Sequence, residues 1–396
     1  MTKLNSLYVE YCTGCGLCKA VKGVDFIEDE KGYPVPDIKG NDTSFFEEVC
    51  PASGKALSTY QDGSVWGEYQ QPFLGWSADE DIREKSSSGG VLTTVCIYLL
   101  ENRLVDGIIQ TKICDTDIRK AETVVSYTRK EVLSCMGSRY TYSSPLMNLA
   151  ELVEAGKQYA FVGKPCDVSA LRIYMDKIQP ELKQSIKYLF SFFCAGQPSL
   201  NANDKLIKAL GGTNLSDCKD LQYRGNGWPG FAILTMNDGS QQKMDYETSW
   251  MKILGRDVRR ICRFCADGTG ELADISCGDA WFLGDNGKPD FSERPGRNVI
   301  FARTTLGSDL LNNVVKGKTL VVTAFDPDRE GLRRMQPYHY TRKASLLTYK
   351  FALRICGRSF PEYANTKLRM FAKGFPLRQK ILRFGGTIRR VLKGII

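Results

Sequence analysis

Histidine is almost missing from this chain, with His339 the single one among 396 residues. That scarcity excludes metal centres built on several imidazoles, and it leaves any Ser-His or Cys-His couple dependent on one side chain. The plain expectation for His339, in the segment PYHY, is a surface or core residue. Also lacking is any apolar run near the roughly 20 residues that cross a bilayer, and the opening MTKLNSLYVEYCTGC has no secretion-signal stretch, so a cytoplasmic location is expected. From Lys367 onward there is no Asp or Glu against nine Lys or Arg, so the net charge of +9 is concentrated in the tail.

What the chain does have is cysteine, fourteen of them, in an otherwise ordinary globular composition of 42% hydrophobic and 25% charged residues. Without an export signal these thiols are expected to be reduced, hence metal ligands or small buried hydrophobes. The length suggests two or three domains. Residues 1–62 are rich in Cys, Gly and short turns and read as a small ferredoxin-like domain that needs a staple. Residues 63–85, with Gly63, Gly67, Pro72 and Gly75, read as a linker, residues 86–345 as the main domain, and residues 346–396 as a basic extension.

In the main domain helical and strand patterns alternate. Helices are expected over 91–100 and 146–155, and strands over 107–112, 158–162, 188–193, 273–276, 298–302 and 319–323. Segments 231–236 and 241–246 flank Asn237-Asp238-Gly239-Ser240, a hairpin turn. The fold class is therefore α/β with a mixed sheet, preceded by the small cysteine-rich domain.

Cys12-x2-Cys15-x2-Cys18, with Gly14 and Gly16 between the thiols, is three quarters of a bacterial ferredoxin run. In a two-cluster ferredoxin a further Cys would stand at position 22, which is Lys22 here, so the run serves one 4Fe-4S cluster completed by Cys50, which precedes Pro51. Zinc is the alternative occupant. Cys262-x2-Cys265 is less specific, because zinc, cluster and redox dithiol all use it. Cys166 and Cys194 lie just past predicted strand ends, where ligands gather in open α/β sheets, and can meet that pair in space. Cys96, Cys114, Cys135, Cys218, Cys277 and Cys356 read as inert thiols.

Ser86-Ser87-Ser88-Gly89-Gly90 opens a helix and offers N–H groups to a pyrophosphate, although a simple Ser/Gly cap is the alternative. Gly137-Ser138-Arg139-Tyr140 adds a cation and an aromatic face. Together SSSGG, GSRYTYS, GKPCDVSALR, FFCAGQPS, YRGNGWPG, CRFCAD with ADISCGDAW, and GRNVIFARTTLG stand in an order that resembles the coenzyme F-420 hydrogenase/dehydrogenase beta-subunit family over roughly residues 5–345. That family is similar to 7-hydroxymethyl chlorophyll reductases and ferredoxin-dependent divinyl reductases.

The resemblance implies FAD beside a 4Fe-4S cluster, with a ferredoxin module in many members. It makes Cys166, Cys194, Cys262 and Cys265 the second cluster's ligands, and Ser87, Ser88, Gly89, Gly90, Gly137, Ser138, Arg139 and Tyr140 flavin contacts. Lys164, Arg172 and Arg303 take cationic roles nearby. The chain departs from the family at Lys164, Asp167 and Ala195, where a small hydroxyl residue, Gln and His are common, which puts a deazaflavin substrate in doubt.

The implied function is an oxidoreductase that passes electrons between ferredoxin, or another redox protein, and FAD, which meets a small organic substrate, with Tyr140 or Lys164 as proton donor. Alternatives are an electron-relay subunit without its own substrate, a zinc-binding interaction module, and a fold that has lost its flavin. No nucleic acid is expected as a partner, and homo-oligomerisation is left open. The basic tail could lie on an anionic membrane or another protein, or be a solvated terminus, and Gly385-Gly386 would interrupt a long helix there.

Overall fold

The computed structural model describes residues 3–38, 43–58 and 64–396, so the expected domain boundary at 62–63 lies outside the described residues. The chain opens with the helix Lys3–Glu10, the cysteine loop and the helix Leu17–Lys22. A short antiparallel hairpin of β1 (Phe26–Glu28) and β2 (Pro34–Pro36) and the helix Ser44–Val49 follow.

The centre of the molecule is an eight-stranded mixed sheet, in agreement with the α/β expectation. Its strands are β3 (Gln71–Ser77), β4 (Gly107–Cys114), β5 (Asp117–Ser126), β6 (Tyr159–Gly163), β7 (Ile186–Phe192), β11 (Ile275–Asp279), β12 (Asn298–Ala302) and β13 (Leu320–Ala324). They run in the order β13-β3-β12-β11-β7-β6-β4-β5. The inner four, β11, β7, β6 and β4, are parallel, and the flanking pairs are antiparallel. β6, β7 and β12 are near-continuous apolar runs because both faces are covered. The helices Val91–Glu101 and Thr305–Lys316 bury Val95, Leu99, Leu311 and Val314 on one face, and the helix Pro165–Lys177 buries Val168, Leu171 and Met175 on the other. Because the inner strands are parallel, the loops after β6, β7 and β11 open on one edge, where an α/β sheet collects its ligands.

A separate antiparallel sheet joins β8 (Cys218–Gln222), β9 (Phe231–Met236) and β10 (Gln241–Asp245), with the expected turn at 237–240. It packs on the helix Leu200–Ala209 through Leu206, Leu221 and Leu234.

Four expectations need correction. Residues 63–85 are not a linker in their described part: β3 is an inner strand paired with β12 and β13, and the helix Glu80–Lys85 follows it. The helix expected over 146–155 is only Leu149–Leu152. The tail forms the helices Leu346–Ile355, Asn365–Phe371 and Leu377–Leu392, and the last of these runs through Gly385-Gly386 without a break. Nor is the tail a loose end, since Leu353, Leu368 and Phe371 share one buried cluster with Tyr8, Tyr11 and Phe46 of the amino-terminal segment. Polar clasps tie the same parts together: the Tyr11 hydroxyl donates to Ser359 O at 2.7 Å, Glu362 N to Ser53 O at 2.6 Å, and Ala364 N to Ser58 Oγ at 2.9 Å.

Candidate redox site

The amino-terminal cysteine loop is held by glycines for steric reasons. Gly14 and Gly16 have φ of +73° and +86°, and a Cβ at Gly14 would lie 2.5 Å from the Arg259 guanidinium. The turn lets Gly14 N–H donate to Cys12 Sγ at 3.3 Å. Cys18 lies in the helix Leu17–Lys22, and Cys50 caps the helix Ser44–Val49. Burial raises the Cys50 thiol well above its ordinary range, and the charges of Cys15, Cys12 and Cys18 push it further in the same direction. Cys15 is likewise pushed up to about 11 by burial, with contributions from Asp167 and Cys12. The four sulfurs therefore lie within electrostatic reach of one another.

The second set is assembled from distant parts of the chain. Cys166 stands in the first turn of the helix Pro165–Lys177 after β6, Cys194 follows β7, and Cys262 and Cys265 flank the end of the short helix Arg260–Arg263. Burial, then Asp167, raises Cys166 well above its usual value despite Lys164, and Cys194 and Cys262 add to the rise. Cys194 is pushed up to about 11 by burial and Cys262, and Cys265 to about 12 mainly by burial. Gln197 N–H donates to Cys262 Sγ at 3.4 Å. All fourteen cysteines are free thiols, and Cys277 is buried within β11 beside Cys96, away from this set.

Among the described residues no three His, Cys, Asp or Glu side chains are placed to hold a single metal ion. Tetrahedral zinc, with Zn–S of ~2.3 Å, would draw its thiolates to roughly 3.8 Å from each other.

Between the two sets lies a buried ion pair. Lys164 Nζ is 2.7 Å from Asp167 Oδ2 and donates to Ser143 Oγ at 2.9 Å. The Lys164 charge lowers the pKa of Cys12 in one set and of Cys166 and Cys194 in the other, and Asp167 raises those of Cys15 and Cys166. Arg259, which stacks over Tyr33 at 4.3 Å, donates to the Gln197 side chain and so forms a second bridge. Arg342 closes the far side by donating to the carbonyls of Cys194 and Cys262 at 3.0 and 3.2 Å. Its guanidinium, together with burial, keeps the adjacent His339 neutral, and His339 is a core residue.

The Ser/Gly loop lies on the same sheet, beside β3 and β12. The Ser87 hydroxyl accepts from Ser138 N at 2.6 Å, which joins the 86–90 and 137–140 segments. Ser88 Oγ donates to Arg297 O and accepts from Asn298 Nδ2 at 3.1 Å. A Cβ at Gly89 would come within 2.8 Å of Asn298 Oδ1 and Gly75 O, and Gly90, with φ of +74°, starts the helix Val91–Glu101. Three buried polar atoms around this loop have no partner: Ser86 Oγ, Arg139 Nε and Asn298 Oδ1. Such orphans are costly unless something satisfies them.

Tyr140 stands at the mouth of an aromatic group that the sequence reading missed. Its ring is 4.6 Å from Trp250 and 5.7 Å from Tyr223, and its hydroxyl accepts from Arg224 at 3.4 Å. Arg224 is fixed by Asp279 at 3.0 Å and lies over Tyr246 and Trp281, and Trp281 stacks on Trp228 at 4.6 Å. The motifs YRGNGWPG and GDAW were in view, but no spacing rule links Arg224 to Asp279.

Two expected cationic contacts are occupied elsewhere. All three guanidinium nitrogens of Arg303 are engaged, by Ser276 Oγ and the carbonyls of Trp66, Glu68 and Thr269, so it is a clasp and not a free cofactor ligand. Arg172 is tied to Asp274 at 2.9 Å.

Comparison with known proteins places this geometry. Residues 73–151 match the coenzyme F420 hydrogenase/dehydrogenase beta-subunit N-terminal family, and residues 156–328 match its C-terminal counterpart. The chain is 27% identical to the coenzyme F420 hydrogenase subunit beta of Methanococcus voltae, over 70% of this chain and 92% of that one. It is 25% identical to the chloroplastic 7-hydroxymethyl chlorophyll a reductase of Oryza sativa subsp. japonica, over 77% and 61%. A chain of the F420-reducing [NiFe] hydrogenase complex from Methanosarcina barkeri has the same fold, with a TM-score of 0.58 at 20% identity over 77% of this chain and 99% of that one. With both family halves in order along one sheet, this chain belongs to the coenzyme F420 hydrogenase/dehydrogenase beta-subunit family of redox proteins.

Proposed function

We propose that the chain is an iron-sulfur flavoprotein oxidoreductase. Cys12, Cys15, Cys18 and Cys50 would hold one 4Fe-4S cluster, Cys166, Cys194, Cys262 and Cys265 a second, and the 86–90 and 137–140 segments FAD. The observation that carries this reading is the gathering of two groups of cysteines, one from the amino-terminal loop and one from the ends of β6 and β7 and the 262–265 loop, around the buried Lys164–Asp167 pair. When bound, FAD exchanges hydride with organic molecules and single electrons with iron-sulfur centres.

The chain's own residues divide the remaining work. Ser86, Arg139 and Asn298 offer unsatisfied buried atoms to a dinucleotide, and Gly89 and Gly90 let the loop that carries Ser86 pack closely against Asn298, Gly75 and Ile82. Arg224 donates to the Tyr140 hydroxyl and holds it in place, which suits Tyr140 as the proton donor to a small organic substrate. Lys164, fixed by Asp167 as an ammonium ion, serves as a positioning charge between the cysteine sets instead of a proton donor. The Gly14 and Gln197 N–H groups donate to the Sγ atoms of Cys12 and Cys262 and would tune the potential of a cluster held by those thiolates.

Electrons would arrive from ferredoxin or a comparable redox protein at the amino-terminal set. A second reading, a relay subunit within a larger assembly, is favoured by the fold match to a chain of a hydrogenase complex. Stopped reduction of the oxygen-free holoprotein by reduced ferredoxin tests the first reading, which requires bleaching of both iron and flavin bands. Bleaching of the iron bands in a preparation that contains no flavin would leave only the relay.

A further inference from the structure

The helix Leu377–Leu392 packs on the body through its two buried residues, Thr387 and Val391, and leaves most of its aliphatic side chains outside. Thr387 is fully buried and donates to Arg383 O at 2.8 Å, Arg390 donates to Thr387, and Arg383 and Arg390 border a cavity of about 280 Å³ that Arg263 and Arg342 also line. Its outward side is aliphatic. Leu377, Ile381 and Leu392 fall on one stripe of the helix and are 72%, 64% and 80% exposed, with Leu382 beside them at 58%. The helix Leu346–Ile355, against which it packs, adds exposed Phe351 and Ile355 one turn apart. Single exposed aliphatic residues are unremarkable, but a row of them beside the exposed cations Arg378, Arg389 and Lys393 is an interaction surface.

Charge selects the occupant. Residues 331–396 carry sixteen Lys or Arg and one carboxylate, Glu362. Residues 1–330 hold the remaining 38 Lys or Arg and 44 Asp or Glu, a net charge of −6 on an acidic body. A second copy docked here would set cations against cations. A nucleic acid would meet the cations but leave the aliphatic stripe Leu377, Ile381 and Leu392 without an apolar partner. An anionic bilayer meets both demands, because the aliphatic stripe enters the boundary of headgroups and acyl chains while Arg378, Arg389 and Lys393 meet lipid phosphates. The helix, roughly 24 Å long at 1.5 Å per residue, is too short to span a bilayer, and among the described residues no helix is long and apolar enough to cross a membrane.

We propose that the outward face of the helix Leu377–Leu392 docks in the plane of an anionic phospholipid surface and makes the protein a peripheral membrane oxidoreductase. The test is sedimentation of the full-length, oxygen-free protein with vesicles of phosphatidylcholine alone or mixed with phosphatidylglycerol. Binding is expected only to the mixed vesicles and should weaken with added salt. The double variant Ile381→Ser/Leu392→Ser should lower the partition coefficient at least about tenfold, as removal of two buried aliphatic chains requires. Arg378→Gln/Arg389→Gln should lower it less, with circular dichroism and thermal unfolding unchanged in both variants. The proposal is overturned by equal binding to neutral vesicles, by absence of binding, by indifference to Ile381→Ser/Leu392→Ser, or by light scattering that shows this pair of changes splitting a dimer. A stoichiometric complex with an acidic protein that covers the stripe and leaves no lipid binding overturns it as well. None of these readouts depends on whether FAD or iron is reduced, so the redox reading stands or falls separately.

Discussion

The two cysteine sets contain the same number of thiols but are built in different ways. The first is local, with three thiols in one glycine-turned loop and the fourth 32 residues beyond Cys18, in a segment whose own sheet is a two-stranded hairpin. The second draws its members from the ends of β6 and β7 and from a loop more than sixty residues further on, all fixed by an eight-stranded sheet. A scaffold with a large core holds its ligands whether or not metal is present, whereas a small one depends on its metal for part of its fold. The amino-terminal segment also leans on the carboxy-terminal helices, through Tyr11, Ser53 and Ser58.

This contrast can be broken most severely at the ligands. Cys50→Ser and Cys265→Ser should each remove about half of the bound iron, but only Cys50→Ser should strip hydrogen-exchange protection from residues 3–58. Equal loss of protection in the sheet for both variants would erase the distinction. Next in size is the buried pair between the sets. Lys164→Met leaves the buried Asp167 carboxyl without its partner and should cost about 3–5 kcal/mol in urea unfolding, and Lys164→Met/Asp167→Leu should recover most of that loss.

Smaller still is the effect expected at the Ser/Gly loop. Arg139 bonds only to the carbonyls of its neighbours Met136 and Ser138. Arg139→Met should therefore leave stability nearly unchanged and weaken flavin binding by about 1.5–3 kcal/mol, the worth of a charge-assisted hydrogen bond, as followed by fluorescence titration of the flavin-free protein.

The smallest effect concerns pH beside the second set. His339 is held neutral in the folded protein, its pKa depressed by burial and then by Arg342. The unfolded chain takes up a proton below about pH 6.5, so stability falls as pH drops through that value, by about 1.4 kcal/mol per pH unit for one proton. As the only histidine, it can be isolated cleanly. The difference in unfolding free energy between wild type and His339→Asn should change over pH 6.5 to 5.5 by about that amount, and a pH-independent difference would place the imidazole in water.

Apolar runs made the central strands legible, because a strand buried on both faces leaves a plain record, as in YLFSF of β7. β3 was hidden by Gly75, which reads as a linker residue but is a packing necessity, since a Cβ there would lie 2.8 Å from Ile300 Cδ1 and from Val321 O. β5 was hidden for another reason: as an edge strand it carries Arg119, Lys120 and Glu122, which mask its alternation. The first cysteine set could be read from spacing, whereas the second needed the strand ends and a family resemblance. The Arg224–Asp279 pair had no sequence signal, because residues 55 positions apart meet only through the fold. The tail's composition disclosed its charge but not its packing, in which Thr387 and Val391 are the side chains that the last helix buries.

The central claim is that both quartets hold iron and that the Ser/Gly loop holds FAD. Metal, sulfide and flavin analysis of protein purified without oxygen measures this directly. The account predicts about eight iron, eight acid-labile sulfide and one FAD per chain. Stoichiometric zinc in their place, or a colourless protein free of iron and flavin, would contradict it.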